Sequence, residues 1–309
     1  MNDIVQAADF GFFSVLASAG SLSAAARELG LTPAAVSKRL SQMERRAGVP
    51  LVTRTTRRMM LTPEGEVYLQ HARRVLEEVD TLSSLLGGAK QRPTGLLRVN
   101  ATLGFGRRHV APLISSFIAA YPGVSAQLQL SASPPLLTDD TYDVCVRFGE
   151  PPDGRVVAKW LAPNRRLLCA TPEYLARRGN PETPRDLTRH SCITIRQGDE
   201  AYGVWRLSSQ RAAAGKAETV RIHGPLTTND GEIAVRWALA HHGIVMRSEW
   251  DIQEYLQDGR MRVVLPDYAT PDADIYAVYA QQHQFSTRVR AFVDYLAEAL
   301  GEARGARAP

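Results

Sequence analysis

The chain has 309 residues, of which 44% are hydrophobic, and its formal net charge at pH 7 is +5. That length is enough for more than one buried core, because domains usually take roughly 100–200 residues each. No apolar run approaches the roughly 20 residues that a membrane-spanning helix needs. The first ten residues contain two acids and no base, unlike a secretory signal. We therefore expect a multidomain cytoplasmic protein that has no membrane partner.

The three cysteines, Cys145, Cys169 and Cys192, are odd in number and widely spaced. This pattern argues against a disulfide framework and against a zinc site, and it predicts buried, reduced thiols. His241 and His242 are adjacent, so a helix points them in different directions and they do not suggest a metal site. We expect no bound metal.

Signatures of common enzymes are missing from the sequence. There is no G-x-S-x-G, H-E-x-x-H or G-x-x-x-x-G-K pattern. Gly104-Phe105-Gly106 begins like a dinucleotide-binding loop, but arginines and a histidine follow where a third glycine is needed. We therefore expect no catalytic residues and no cofactor, and a protein that is not an enzyme.

Positive charge is concentrated in residues 27–58, which hold eight basic residues and only two acids, a local balance of +6 that leaves −1 for the remaining chain. An ordinary solvated face also carries such charges. However, a local excess suits a polyanion, because each Lys or Arg near a phosphate releases condensed counterions. The basic residues are Arg27, Lys38, Arg39, Arg45, Arg46, Arg54, Arg57 and Arg58.

Periodic apolar residues predict three helices around this basic stretch. The first covers Ile4 to Leu16, and the second covers Ala24 to Leu29 with Ser21 or Ser23 as its cap. Gly30 follows in a left-handed turn. This order of helix, glycine-containing turn and helix is typical of a DNA-reading motif.

The third predicted helix starts at Pro33, is capped by Thr32 and stops at Gly48. Its apolar residues are expected to anchor it inward: Leu31, Val36, Leu40 and Met43. Its other face carries hydroxyls and cations that can reach base edges and phosphates: Ser37, Lys38, Ser41 and Arg45. After Pro50, the segment LVTRTTRRMMLT predicts a small β wing whose cations lie along the DNA backbone.

A long helix is predicted from Thr62, with Pro63 at its first position, to the Gly87-Gly88 pair. One face has the alternating spacing of a coiled-coil seam: Tyr68, Ala72, Val75, Val79, Leu82 and Leu86. We expect this seam to pair with a second copy of the helix. The alternative is that it packs on the chain's own core. The polar segment KQRPTG that follows predicts a hinge.

From Leu96 onward, predicted strands and helices alternate, as in a mostly parallel sheet, and they suffice for two α/β lobes. The predicted strands are 96–101, 124–130, 143–148, 166–171, 192–195, 220–223, 244–246, 261–265 and 275–279. The predicted helices are 105–120, 172–178, 230–240, 249–256 and 286–300.

The run GSLSAAARELGLTPAAVSKRLSQMERRAGVPLVTRTTRRMMLTPEG resembles the winged helix-turn-helix of LysR-type transcriptional regulators. Segments such as LRVNATLGFGRRHVAPLISSF, RLLCATPEYLARRG and NDGEIAVRWALAHHGI resemble the family's effector domain, which has the two-lobed type II periplasmic-binding-protein fold. The resemblance implies a DNA-binding domain at 1–61, a dimerisation helix at 62–89, a hinge at 90–94 and an α/β effector domain at 95–303. Lobe I then covers 95–161 and 268–300, and lobe II covers 162–267.

Carried over position by position, Ser37 and Lys38 match the family's recognition-helix pair, and Arg54 and Arg58 match its wing cations. Thr32-Pro33-Ala34 stands where Ser-Gln-Pro is common, so a glutamine that reads bases is absent and the operator sequence cannot be inferred. The full expected set of DNA-contacting residues is Ser21, Ser23, Thr32, Ala34, Ser37, Lys38, Ser41, Arg54, Arg57 and Arg58.

The family places its effector between the lobes, where helix N-termini and strand ends suit a small anion. The chain resembles a subgroup that includes regulators of organic-acid use, which implies a small carboxylate. The expected effector-binding residues are Thr102, Leu103, Phe105, Ser131, Arg147, Phe148, Thr228 and Asn229. Thr102 and Asn229 are expected as hydrogen-bond donors and Arg147 as a carboxylate partner. The alternatives are a structural salt bridge for Arg147 and core packing for Phe148.

The resemblance implies a transcription regulator that binds double-stranded DNA and a small effector as a homodimer or homotetramer, and it leaves contact with RNA polymerase open. Three other classes of protein are alternatives. The missing motifs argue against an enzyme fused to an N-terminal DNA-binding domain. The presence of that domain argues against a free solute-binding protein. An architectural DNA binder without a ligand leaves more than 200 residues of α/β domain without a role.

Overall fold

The computed structural model describes residues 6–54, 59–87, 92–133, 141–149, 151, 156–196, 203–210 and 217–305. The chain separates into two compact units. The first comprises Met1–Gln91 with Phe285–Thr287, and the second comprises Arg92–Gln284 with Arg288–Pro309. The division after residue 91 falls within the predicted hinge.

The first unit begins with three helices, α1 (Ala7–Ala19), α2 (Leu22–Glu28) and α3 (Pro33–Ala47). Ser21, rather than Ser23, caps α2 by accepting a hydrogen bond from a backbone N–H three residues later. Thr32 caps α3 in the same way, with Pro33 in the first turn, where its missing N–H costs nothing. These local signals explain why both helix starts were predictable.

Apolar side chains from all three helices form the core of this unit, and they are joined by residues of the following strand and helix. The buried set is Phe12, Phe13, Leu16, Ala25, Ala26, Val36, Leu40, Met43, Leu51, Val52 and Leu69. One prediction was wrong. Leu31 is 42% exposed, because it lies in the turn before the Thr32 cap and is therefore outside the helical register of α3.

A two-stranded ribbon follows α3. β1 (Val52–Arg54) pairs antiparallel with β2 (Met59–Leu61), in the position of the predicted wing. The Thr62 hydroxyl donates to Pro50 O at 2.7 Å and accepts from Gly65 N at 2.9 Å. One side chain thus ties the end of the ribbon to the start of the next helix.

That helix, α4, covers Pro63–Gly87. At its N-terminal end the predicted seam packs on the unit's own core: Ala72 is buried, and the Tyr68 ring stands edge-on to Phe13 at 5.0 Å. Further along, the seam residues Val75, Val79 and Leu82 are 41%, 54% and 55% exposed. The Leu86 side chain lies outside the described part. The seam therefore divides into a packed half and an exposed half.

Lobe I of the second unit consists of one sheet and the helices that cover it. Its elements are β3 (Gly95–Thr102), α5 (Leu103–Phe105), α6 (Ala111–Ala120), β4 (Val124–Ser131), β5 (Val144–Phe148), β6 (Val156–Ala162), β15 (Ile275–Ala280) and α10 (Thr287–Gly305). The strand order is β4-β3-β5-β15-β6. β4, β3 and β5 run parallel, whereas β15 is antiparallel to both neighbours. A π-helical turn, Gly106–Val110, joins α5 to α6.

Lobe II has a second five-stranded sheet and a three-stranded ribbon. Its elements are β7 (Arg166–Ala170), α7 (Pro172–Arg178), β8 (Cys192–Ile195), β9 (Val204–Ser209), β10 (Glu218–Arg221), β11 (Thr227–Thr228), α8 (Gly231–Leu239), β12 (Ile244–Ser248), α9 (Glu249–Gln257), β13 (Arg262–Val264) and β14 (Tyr268–Ala269). The sheet order is β11-β8-β12-β7-β13, and the ribbon order is β10-β9-β14. β7 runs antiparallel to β12 and β13.

The chain crosses between the lobes twice, after β6 and before β15. Because one strand leads out of lobe I and the other leads back, the two lie antiparallel, and the sheet is mixed rather than mostly parallel. The predicted return to lobe I at residue 268 needs correction. Tyr268 pairs with Ser209 of lobe II, so the return lies between β14 and β15.

Within the described ranges, no helix combines the length and the apolar character that crossing a membrane requires. The three cysteines are free and buried, as predicted.

Burial raises the pKa of Cys145, Cys169 and Cys192 to about 12 in each case. Since the thiolate is the reactive form, we expect a colorimetric disulfide reagent at pH 8 to label none of the three thiols in the native protein. The same reagent should label all three after denaturation in urea. Rapid labelling of any thiol in the native protein contradicts this expectation.

Candidate functional site

The solvent face of α3 carries the polar side chains that the sequence predicts for DNA contact. Ala34 and Lys38 are exposed, and Ser37 and Ser41 are half-buried. Arg45 is exposed as well, and its Nε donates to Ser41 O at 3.2 Å. The opposite face of the helix is buried in the core. This face of α3 can therefore present hydroxyls and cations to a groove.

The other predicted DNA contacts surround this helix. Ser21 and Thr32 accept cap hydrogen bonds at 3.2 Å, yet both are exposed, so each hydroxyl can still donate to a phosphate oxygen. Ser23 is exposed in the first turn of α2. Arg54 ends β1, but its side chain lies outside the described part. Arg57 and Arg58 lie outside the described residues.

Two of the eight clustered basic residues have a structural role. Asp9, which is 3% exposed, accepts from Nε and Nη2 of Arg39 at 3.2 Å and also pairs with Arg46. Arg39 further donates to Ala8 O at 2.6 Å and lies over the Phe12 ring. These two arginines hold α3 against α1, so only part of the local positive charge faces solvent freely.

A second candidate site is a cavity of about 470 Å³ between the two lobes of the second unit. Lobe I contributes the end of β3, the start of α5 and the end of β5. Lobe II contributes residues of β7, β8, β9 and β12. The lining residues are Thr102, Leu103, Gly104, Phe105, Arg147, Phe148, Gly149, Arg166, Ile193, Thr194, Ile195, Arg196, Gly203, Val204, Trp205, Arg206, Gly231, Met246, Arg247, Ser248, Pro271 and Asp272.

The charges of this lining are strongly unequal. Five arginines come from both lobes, whereas Asp272 is the single acid among the lining residues. Apolar side chains such as Phe148 and Trp205 lie among them and reduce the screening by water. The cavity is therefore suited to an anion with a small carbon skeleton. The lining arginines are Arg147, Arg166, Arg196, Arg206 and Arg247.

On the lobe I side of this lining, two polar atoms are buried without a hydrogen-bond partner in the described structure, Thr102 Oγ1 and Arg147 Nε. Thr102 is only 8% exposed. Leaving such a group unpaired costs free energy, so both atoms are available to a ligand. Arg147 has no ion pair with any described residue, and the Phe148 ring contacts Phe105 edge-on at 5.4 Å while also lining the cavity.

Five of the eight predicted effector-binding residues line the cavity: Thr102, Leu103, Phe105, Arg147 and Phe148. The other three are not among its lining residues. Ser131 Oγ donates to Ser133 O at 2.7 Å, and Thr228 Oγ1 accepts from Asp230 N at 3.0 Å. Asn229 is exposed in the turn before α8.

The sequence reasoning missed four lining arginines. Arg196 follows β8 just as Arg147 lies near the end of β5, so the rule that strand ends form the site could have found it. Arg247 and Asp251 are four residues apart and form an ion pair, but Arg247 lies in a strand and Asp251 in a helix, so the spacing alone does not mark the pair. Arg166 and Arg206 are brought in by the sheet and the ribbon, and no local pattern marks them.

The wall beside this cavity contains polar contacts that bridge the lobes. Arg107 of lobe I pairs with Glu232 of lobe II, and its Nη2 lies 3.8 Å from Asp230 Oδ2. Arg108 donates to Asp251 O at 3.1 Å and to the Tyr255 hydroxyl at 3.2 Å. The hydrogen bond that Arg108 donates to the Tyr255 hydroxyl raises the pKa of Arg108. In the part of the chain that the structure describes, no group of three or more His, Cys, Asp or Glu side chains could hold a metal.

Two protein families match this chain. Residues 8–66 match the bacterial regulatory helix-turn-helix protein of the lysR family, and residues 90–301 match the LysR substrate binding domain. The first match covers α1 to α3 and the β1–β2 ribbon, which together are called the head below, and the second covers the two-lobed unit. The long helix α4 lies mostly between them.

Relatives match over nearly the whole chain. The HTH-type transcriptional regulator DmlR of Escherichia coli strain K12 is 35% identical over 98% of this chain and 97% of its own. The HTH-type transcriptional activator TtdR of the same strain is 34% identical over 96% and 94%. The solved structure of CrgA, a LysR-type transcriptional regulator from Neisseria meningitidis, has a TM-score of 0.60 at 28% identity, covering 96% and 99%. These relatives are regulators, not enzymes.

The Asp9 cluster yields a stability prediction. Asp9→Asn removes the charge that two arginines share, so we expect the free energy of unfolding to fall by about 2 kcal/mol, below the value for a fully buried pair because both arginines are partly exposed. Urea unfolding of the full chain measures it. The control is Glu28→Gln on the exposed surface of α2. Equal effects of the two substitutions contradict the structural role of Asp9.

Proposed function

This chain belongs to the LysR family of bacterial transcriptional regulators, and from that premise we propose that it changes transcription in response to a small carboxylate bound between its two lobes. As a member of that family, it is a DNA-binding regulator with an effector-binding domain. The carboxylate is the finer claim. The observation that carries it is the gathering of five arginines around one cavity that has a single lining acid.

Charge-assisted hydrogen bonds support this choice of ligand. Guanidinium groups bind carboxylates with two parallel hydrogen bonds, and a cavity that excludes water strengthens such contacts. Arg147 and Thr102 are the lobe I groups that we assign to the carboxylate, because each has a buried atom without a partner among the described residues. Phe105 and Phe148 then pack against the carbon skeleton.

For the DNA contact, we assign base reading to the solvent face of α3 and backbone clamping to the wing. Lys38 and Ser37 lie on that face, whereas Arg54 ends the first strand of the ribbon. Arg39 and Arg46 are excluded from this role because Asp9 occupies them.

We also propose that the exposed half of the α4 seam, with Val75, Val79 and Leu82, pairs two copies of the chain. A helix with such an apolar stripe is stable in water only when a partner covers it. Contacts between effector domains then give a homotetramer. Closure of the lobes on the ligand favours one arrangement of this assembly, which alters the spacing of the DNA-reading helices. Contact with RNA polymerase remains a prediction.

Binding to the DNA beside the chain's own gene tests this function. We expect a salt-sensitive and sequence-selective gel shift whose footprint changes when small carboxylates are added. A protein that gives no such shift is not a sequence-specific regulator of that DNA. A shift that responds to no carboxylate contradicts the proposed ligand but not the DNA binding.

Two substitutions separate reading from clamping in the same assay. Lys38→Ala should change the preference among operator variants, whereas Arg54→Ala should weaken all sites alike and lower the salt slope by about one. Arg262→Ala, on an exposed position of lobe II, is the control. Identical changes for the two variants of the head contradict the division of roles.

A substitution in the exposed seam tests the assembly. Val79→Glu places a charge on the apolar stripe, so we expect the molar mass from light scattering to fall by about half at concentrations where the unmodified protein is fully assembled. Gln70→Glu is the matched control, since it adds the same charge at an exposed position of α4 outside the seam. If both variants keep the full mass, the seam is not the interface.

A further inference from the structure

Arg247 lies where the two lobes meet at the first turns of two helices. A Cβ atom added to Gly231, the first residue of α8, lies 2.1 Å from the Arg247 Cζ. A Cβ added to Gly104 in α5 of lobe I lies 3.6 Å from its Nη2. Neither glycine has a positive φ angle. A side chain at Gly231 would therefore displace the guanidinium, whereas the backbone there would accept one.

The positive charge around Arg247 is not fully neutralised by nearby acidic residues. The N-terminus of α8 contributes about half a positive charge, and the Arg247 guanidinium adds a full one. Asp251 pairs with Arg247 and supplies one negative charge, which leaves a local excess of about half a positive charge. The nearby acids Asp230 and Glu232 are already engaged. They are matched by Arg107 and Arg236.

Unsatisfied buried atoms lie beside this excess charge. Arg247 has a side chain that is 11% exposed, and its Nε has no hydrogen-bond partner in the described structure. Thr102, two residues before Gly104, is 8% exposed with an equally unpartnered Oγ1. Both residues line the cavity between the lobes. One comes from lobe II and the other from lobe I.

We propose that Arg247 and Thr102 together bind one anionic group of the effector, so that this group ties the two lobes to each other. The proposal rests on the proposed function, because it concerns the same cavity. It makes Arg247 a residue that selects a negatively charged ligand, and it gives Gly231 the role of leaving room for the guanidinium.

The same position connects the ligand to the contacts that bridge the lobes. Asp251 and the bound anion share one guanidinium, so binding weakens the hold of Asp251 on Arg247. The backbone carbonyl of Asp251 accepts from Arg108 of lobe I. Occupancy of the cavity therefore acts directly on a contact between the lobes.

The test measures thermal shifts and calorimetric affinities of the full-length protein. The probe is whichever of acetate, succinate, tartrate and inorganic phosphate raises the Tm of the unmodified protein most. Arg247→Gln should weaken binding of that probe about tenfold or more, since it removes a charge-assisted hydrogen bond. Gly231→Ala should do the same, because its methyl group displaces the guanidinium. Arg262→Gln, exposed in the same lobe and outside the cavity lining, should leave the affinity unchanged.

Asp251→Asn distinguishes the proposed ligand-binding role of Arg247 from a purely structural ion pair with Asp251. Without probe its Tm should fall, since a buried guanidinium loses its partner. The probe should then raise the Tm by more than it does for the unmodified protein, because the anion no longer shares Arg247. Equal shifts in the two proteins overturn the proposal.

The outcomes separate this proposal from the function on which it rests. If no probe binds the unmodified protein, the proposed anionic ligand and this inference both fail. If phosphate alone binds, only the proposal that the ligand is a carboxylate fails. If a probe binds equally well to the unmodified protein and to Arg247→Gln, only the inference fails. Should Arg247→Gln prove unfolded by circular dichroism, the Gly231→Ala and Asp251→Asn results decide.

Discussion

A guanidinium withdrawn from water needs oxygen atoms in place of its hydration, and the rest of this structure depends on how that need is met. In the head, Asp9 occupies Arg39 and Arg46, which fastens α3 to α1 and fixes the angle at which α3 faces solvent. In lobe I, Asp143 lies 3.7 Å from the buried Arg288 and accepts a hydrogen bond from a backbone N–H of β3. The cavity, by contrast, gathers arginines with few acids. The anionic ligand that we propose would therefore complete an electrostatic environment that the fold leaves incomplete.

The continuous helical run formed by α5, the π-helical turn and α6 contributes to several parts of the second unit. Phe105 and Val110 are buried in the lobe I core, while Arg107 and Arg108 from the same turns reach lobe II. The π-helical turn over these residues changes which side chains face each lobe, and such turns are frequent at functional sites. Gly106 lets the run lie close to the sheet, since an added Cβ lies 2.4 Å from a leucine methyl of β4. This one helical run thus contributes residues to the core of lobe I, to the wall of the cavity and to the contacts between the lobes.

Short-range sequence signals were enough to predict the helices of the head, but they predicted only part of the cavity lining. Caps such as Ser21 and Thr32 act within one turn of a helix, so their positions follow from the sequence. The strand β6 was missed because its middle residues are exposed and polar positions do not alternate with apolar ones. Arg247 was missed because its proposed role depends on Thr102 and Gly231, which lie elsewhere in the chain. Only tertiary contacts bring such residues together, and no periodic pattern records them.

The two proposed anion-binding regions differ in their exposure to solvent, and this difference has a consequence for the proposed function. Lys38 and Arg45 are exposed, so their attraction to phosphates is screened by salt and falls as counterions become abundant. Arg247 and Thr102 are largely buried, so an anion between the lobes is screened much less. If these assignments hold, a rise in ionic strength weakens DNA binding more than it weakens binding of the proposed anion. The two proposed sites use the same guanidinium and ammonium chemistry, yet burial separates the salt conditions under which each one operates.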